Sequence, residues 1–494
     1  MKAFKNIAVF GGIFVSGILS SYLGLMPTVA VITLVVGLVI IFTDYEKATL
    51  IAALYTAFEF VLRSVIGRPG SQILSMFGKR VYFDFIQKAI ESPTAFSSYW
   101  DELALLFCFG VWFYKWVIHR KERPYRETPL DFSILLFMTV GVVLLFVAAP
   151  DFSIGVEGLR AVIQYILWFF VVVQLLKTPK GVKRLLNVLL ISGLLVSLYG
   201  IYQYILAVQI PSSWTDIAEG EVRTRVFSIF TRPNMLAGYL SLLIPVAVGM
   251  YFAEKERKRK IYVASAIGAM SLCLLFTMSR GGWIFCFLAL IIFVFLKNRK
   301  LVAPVIVAMA AVFMFTVVFV PSISNRILYL LSSDYIESSS VGGRVYRTIT
   351  GYRLFMENFW LGMGHGQFGG SVALNHKLNN TFSMDNYYMK TAVEMGIFGL
   401  TAFLMLMYST IAWCLRALSR IKDNAQKDWT RGIIAGLSAI IMFNLSENMF
   451  EIPLISTYFW LLAGVVMFLA YGKPQIEREK NSDENPVTVS AETE

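Results

Sequence analysis

About fourteen apolar runs, each long enough to cross a bilayer, follow one another along this chain and leave little sequence for anything else. They lie near residues 6–22, 27–43, 48–66, 101–118, 131–149, 157–177, 185–207, 234–253, 260–278, 281–297, 301–320, 388–416, 432–447 and 452–472. In hydrocarbon every backbone N–H and C=O must be paired inside the protein, so such a chain folds as membrane-spanning helices. Of the 494 residues, 57% are hydrophobic and only 15% are charged, too apolar a mixture for a soluble protein of this size. The expected class is an all-α polytopic membrane protein with about 12–14 transmembrane helices.

The net charge of +12 would suit a nucleic-acid partner if it formed a patch. Instead the basic residues fall in short clusters between apolar runs, the pattern of positive-inside topology, and no nucleic-acid partner is expected. The clusters at His119–Arg126, Lys177–Arg184, Glu254–Lys260, Lys297–Lys300 and Arg416–Lys427, with the tail after Lys473, all alternate onto one face. That face is expected to be cytoplasmic, with both termini inside. Residues 67–100 break the pattern, since they fall outside yet carry Arg68, Lys79, Arg80 and Lys88. Either an interfacial amphipathic helix lies there or one early span is misplaced. Cys108, Cys273, Cys286 and Cys414 sit in apolar runs with no metal-ligand spacing and read as small buried hydrophobes.

The opposite face receives the one long polar stretch of the second half, residues 321–387. The chain therefore divides into an N-terminal multispan region (1–207), a membrane core (208–472) with one large extracytoplasmic loop (321–387), and a charged, disordered tail (473–494). Arg225, Arg232, Arg280 and Arg344 stand at this outer surface, where positive charge is otherwise scarce. An arginine beside hydrocarbon is costly unless it is paired or faces a polar cavity, and its planar fork suits phosphate oxygens. The plainer alternative for each is an anchor that snorkels at a helix end. Ser279-Arg280-Gly281-Gly282 adds open backbone at a helix start, where an anion is favoured. Candidate proton acceptors on the same side are His365, in Gly364-His365-Gly366, Asp385, with helix N-capping as the alternative, and Glu394, expected to pair with an arginine. Glu447 and Glu451 are expected to line the same cavity.

In this order these pieces resemble the O-antigen ligase / O-antigen polymerase superfamily. The resemblance is carried by Arg225 through Asn234, Ser279 through Trp283, Gly343-Arg344, Trp360 through Phe368, and Asp385 through Leu400, within roughly residues 220–460. It implies a GT-C-like, metal-independent glycosyltransferase without cofactor, in a bacterial plasma membrane. It implies as substrates an undecaprenyl pyrophosphate-linked glycan and an acceptor glycan or wall polymer, with flippase and chain-length proteins as further partners. It also implies that Arg225 and Arg280 hold the pyrophosphate. Ligases commonly carry a histidine just before the asparagine where this chain has Asp385, which tilts the reading towards a polymerase of cell-wall or capsular polysaccharide, teichuronic-acid-like polymers included. The competing reading is a lipid-linked oligosaccharide flippase, although transporters carry polar sites near mid-membrane in both halves.

The topology is directly testable. On a cysteine-free background, Ser340→Cys should react with an impermeant thiol reagent in intact cells, and Glu256→Cys only after permeabilisation. Labelling of Ser340→Cys only after permeabilisation would invert the topology.

Overall fold

The computed structural model describes residues 44–56, 94–118, 125–208, 224–319, 324, 339–341, 343–379 and 381–472. Among them the chain is helical, with no strand. The helices are α1 (Thr49–Ala53), α2 (Thr94–Ile118), α3 (Asp131–Ala148), α4 (Phe152–Ile163), α5 (Leu167–Leu175), α6 (Pro179–Ile205), α7 (Pro233–Ala253) and α8 (Arg257–Phe276). They continue with α9 (Arg280–Lys297), α10 (Val302–Phe319), α11 (Arg344–Glu357), α12 (Ser371–Asn375), α13 (Tyr387–Arg420), α14 (Asn424–Phe443) and α15 (Pro453–Met467). A 3-10 turn at Gln164–Ile166 joins α4 to α5 as one crossing.

Eight of the described helical segments are long and apolar enough to cross a membrane. Helices α2, α10 and α14 fill three further expected runs. The runs at 6–22 and 27–43, residues 57–93 (the second half of the 48–66 run and most of 67–100), and the tail from 473 lie outside the described residues. Local sequence sets several starts. The Asp151 side chain accepts from the N–H of Ser153 and Ile154, and Thr178 from that of Gly181 with Pro179 opening α6. Asp423 caps α14 and Asn386 caps α13 in the same way.

Two helices are central. The spanning stretch that begins with α15 is 100% buried and that of α7 78%, against 22% for α9, which therefore turns most of its surface outward. Lipid tails are as apolar as leucine, so packing between such helices depends on close approach rather than on escape from water. Gly432 and Gly436 of α14 supply it. A Cβ on Gly436 would stand 2.4 Å from the Leu242 carbonyl oxygen, and one on Gly432 2.5 Å from that of Pro245. Backbone thus meets backbone along the α7–α14 seam.

The polar ends segregate as the charge pattern predicts. At one end Glu46 accepts from the backbone of Lys177 and Thr178 and pairs with Arg184 at 2.7 Å. There too Lys183 pairs with Glu254 at 2.8 Å, and Lys297 with Asp428 at 2.9 Å. Lys177, Thr178, Lys183, Arg184, Glu254 and Lys297 come from stretches expected to be cytoplasmic, and Glu46 and Asp428 join them at this end. The other end gathers residues 224–234, the α8–α9 turn, the described part of 321–387 and residues 444–452. That part of the expected loop is folded. Helix α11 packs Leu354 and Phe355 against Phe368, Met384 and Val393, and exposes a stripe of Val345, Ile349, Tyr352 and Met356.

Filling the seam should be costly. Gly436→Val forces α7 and α14 apart, and overpacking of this kind costs about 1–3 kcal/mol. Its apparent Tm in detergent should fall, while Gly268→Ala, with open space around its Cβ, should not change it detectably.

Candidate active site

At the end of the molecule opposite the basic clusters, five elements meet around Glu447, in the turn between α14 and α15. Arg225, buried ahead of α7, donates to the Thr277 carbonyl at 3.4 Å and to Asn234 Oδ1 at 3.2 Å. Asn234 Nδ2 donates to Glu447 Oε1. The same oxygen accepts from Arg344 Nη2 of α11 at 2.9 Å. Arg344 Nε lies 3.9 Å from Asp385 Oδ2, which Arg347 also holds at 3.0 Å. A continuous chain of hydrogen bonds and ion pairs therefore runs from Arg225 to Arg347. It ties the start of α7 to α11 and to the residues just ahead of α13.

Of the residues singled out in the sequence, Arg225, Arg344 and Asp385 come together here. Arg280 is half-buried at the first position of α9. A Cβ on neighbouring Gly281 would stand 3.3 Å from Ser446 Oγ, one residue from Glu447. The helix start is partly occupied, because Ser279 Oγ accepts from the Gly282 N–H at 3.4 Å. The capping alternative for Asp385 falls to its neighbour, since Asn386 Oδ1 accepts from Met389 N at 3.0 Å.

His365 and Glu394 lie elsewhere. His365 is 1% exposed, and its Nε2–H donates to the Gly141 carbonyl of α3 at 2.9 Å. Burial pulls its pKa down to about 4, so the ring is neutral at physiological pH and fastens the glycine-rich turn to α3. Glu394 was expected to pair with an arginine. Its partner is Lys390, at 2.6 Å on the same helix face, and Lys390 also reaches Glu451 at 2.9 Å. Glu394 Oε1 accepts from Phe368 N at 3.2 Å, and Glu451 Oε2 from Ser371 N at 3.0 Å and Oγ at 2.9 Å. Lys390 and Arg347 escaped the sequence reading. Lys390 had a signal: a lysine four residues before a glutamate in an apolar helix is an ion pair by spacing.

Helix α13 is interrupted at Gly396, whose φ of 61° and ψ of −164° are open essentially to glycine alone. Around the break Met363 N donates to the Val393 carbonyl at 2.8 Å, Gly364 N to that of Glu394 at 2.9 Å, and Ile397 N to that of Phe359 at 2.8 Å. A Cβ on Gly362 would stand 2.4 Å from the Glu394 carbonyl, and one on Gly396 2.4 Å from that of Trp360. The two glycine-containing motifs are thus two halves of one joint.

A cleft of about 330 Å3 opens beside Glu447, lined among others by Arg232, Gly370, Ser371, Asn448 and Glu451. Asn448 Nδ2 donates to the Gly369 carbonyl at 3.1 Å, while its buried Oδ1 has no partner among the described residues. An acceptor left open in a cleft wall is suited to a ligand hydroxyl or to water. Two glutamates of this cleft are driven apart. Burial pushes the Glu447 carboxyl up, Arg344 opposes it, and the net value is about 6. Burial also acts to raise Glu451, but Lys390 and Ser371 outweigh it and hold that carboxyl below the usual range. Such divergence is how one site comes to hold both a titrating carboxylate and a permanently charged one. Among the described residues, no group of three His, Cys, Asp or Glu side chains is placed to hold a metal ion.

Lys390 should be the most costly charge to delete. Lys390→Met leaves Glu394 and Glu451 buried without their cation, a loss of about 3–5 kcal/mol. A marked fall in apparent Tm is expected. Partial recovery should follow when Glu394→Gln is added, and an unchanged Tm in the single variant would show that the pair is not structural.

Residues 264–404 match the family model described as O-antigen ligase. The matched stretch runs from within α8 to within α13 and contains Arg280, Arg344, His365, Asp385 and Glu394, while Arg225 and Glu447 lie outside it. No curated protein matches the chain. The match over residues 264–404 and the helical architecture with apolar helices of membrane-spanning length agree with the resemblance to the O-antigen ligase / O-antigen polymerase superfamily.

Proposed function

We propose that the protein transfers a glycan from an undecaprenyl pyrophosphate-linked donor to an acceptor hydroxyl at the outer face of a bacterial plasma membrane, polymerising a cell-wall or capsular polysaccharide. The observation that carries this reading is the arginine–carboxylate chain beside the cleft, at the end of the molecule opposite the basic clusters. Arg225, Arg280 and Arg344 hold the pyrophosphate, whose oxygens match the guanidinium fork and replace its present partners. The acceptor oxygen attacks the anomeric carbon, the bond from that carbon to the pyrophosphate oxygen breaks, and the electron pair leaves on the lipid pyrophosphate. The proton of the acceptor hydroxyl passes to a carboxylate.

For that carboxylate we favour Glu447 over Asp385. Glu447 lines the cleft and is mostly ionised, yet still basic, at neutral pH. Asp385 is held by Arg347 at 3.0 Å and fits better as the group that positions Arg344. His365 and Glu394, expected on sequence to be proton acceptors, are assigned to holding the joint.

Purified protein in liposomes should lengthen a lipid-linked repeat unit, whereas movement of that unit across the bilayer without elongation would overturn the reading in favour of a flippase. Arg225→Ala and Arg344→Ala should each lower turnover by about 100-fold or more, as when a donor to developing charge is removed, with poor rescue by lysine. Turnover should rise with pH through about 6 as Glu447 loses its proton. Its stabilising contribution runs the other way. The folded state binds that proton more tightly than the unfolded chain, so the contribution is present at low pH and is lost as pH rises through about 6. Glu447→Gln should cost about 10²–10⁴ in rate and remove the acidic limb. Should Asp385→Asn be inactive and Glu447→Gln active, the proton acceptor is Asp385.

A further inference from the structure

A second, smaller cavity of about 180 Å3 shares Ser371 and Glu451 with the arginine-side cleft. Its other walls come from the half of the molecule that the family match does not reach: Glu102 of α2, and Glu157, Arg160 and Gln164 on and just after α4. Asn375 at the end of α12 completes it. On the glycan-transfer reading above, we infer that this cavity seats an uncharged sugar ring of the acceptor glycan.

Three features support this assignment. The first is a built frame. Asp101 is 9% exposed and accepts from Gln164 Nε2 at 3.1 Å, Tyr165 Oη at 3.3 Å and Tyr55 Oη at 3.4 Å. The amide and the ring that face the cavity are therefore fixed before any ligand arrives, which lowers the entropic cost of binding. The second is the mixture of groups. Arg160 pairs with Glu102 at 3.1 Å while both remain partly open, and Asn375 is exposed. Donors and acceptors alternate around a space with room for one ring, as recognition of a polyhydroxylated ligand requires.

The third is charge. Asp101, Glu102, Glu157 and Glu451 line the cavity with one arginine, Arg160, while Lys390 and His376 hold Glu451 and Glu157 from behind. A lipid pyrophosphate is disfavoured among these carboxylates and is drawn instead to Arg232 in the neighbouring cleft and to Arg344, which reaches that cleft's wall through Glu447. The shared wall then sets the geometry. A sugar seated beside Ser371 and Glu451 extends past that wall towards Glu447, four residues along the same turn, where the acceptor hydroxyl is needed.

The test uses full-length protein in nanodiscs and two probes from the producing cells: the lipid-linked repeat unit, and the oligosaccharide freed from it by mild acid. Saturation-transfer NMR should detect the freed oligosaccharide on the wild type. Ala161→Phe, which fills the cavity from α4, should weaken that binding at least about tenfold, and Asn375→Ala, an exposed change that leaves packing intact, by several-fold. Binding of the lipid-linked unit should change less than about twofold in both variants. Oligosaccharide binding that is absent in the wild type, or unaffected by Ala161→Phe and Asn375→Ala, overturns the inference. Elongation by the wild type is scored separately. If it proceeds while the cavity variants bind sugar normally, the transfer reading stands and this cavity is not the acceptor site. If it fails, the transfer reading falls, and the binding result alone decides what the cavity holds.

Discussion

A helix that stops inside a protein frees N–H and C=O groups that must find partners, and the interruption of α13 at Gly396 is where the half of this molecule that carries the candidate site is organised. The partners come from Phe359, Met363 and Gly364, so the loop between α11 and α13 is bonded through its backbone to the broken helix. The 34 residues of α13 would span about 51 Å as one straight helix, well beyond a hydrocarbon core of about 30 Å, but the break at Gly396 divides them. Residues 397–420 alone rise about 36 Å, enough to cross. The segment before the break is thereby free to stand at the membrane surface as part of the site rather than as part of the span.

Placing that segment at the surface brings two sets of charges into register. On one side Lys390 stands between Glu394 and Glu451, each carboxylate also accepting from the backbone of the glycine-rich turn or of α12. Buried ions are tolerated when every lone pair is used in this way. On the other side Asp385 faces Arg344 and Arg347 across from Glu447. The two sets differ in what they can do. The lysine-centred set is closed on itself and fixes the loop, while the arginine-centred set reaches a cleft through Glu447, and on the proposed reading its donors exchange a carboxylate partner for an anion.

The turn from Asn444 to Ile452 gives both sets a common backing. Tyr387 N donates to the Asn444 carbonyl at 2.9 Å, and Asn444 Oδ1 accepts from Met449 N at 3.0 Å, so this turn is fastened to the start of α13. Glu447 and Glu451 project from it into the same cleft, yet a lysine and a serine hold one while a half-exposed arginine and a neighbouring aspartate act on the other. One short turn therefore supplies two carboxylates with opposite tendencies.

The sequence by itself determined the class of fold, because runs of apolar residues of bilayer length admit only helices, and the alternation of basic clusters predicted which loops would share an end. It also singled out Arg225, Arg344 and Asp385, since charge beside hydrocarbon has to be paired or used. What it did not determine was partnership. Glu394 was legible as a carboxylate in an apolar stretch that needs a cation, but whether an arginine or Lys390 would meet it depended on how the helix face turned. His365 had the intrinsic chemistry of a base, and only packing against Gly141 removed it from water and from the cleft. Glu447 stood out less than either, as an ordinary residue in a short turn. Its raised pKa and its place between Asn234 and Arg344 come from elements more than one hundred residues apart in the chain. Covalent order fixes which groups exist and how they are spaced along a helix. Only tertiary structure, by deciding which groups lose water together, fixes what each of them can do.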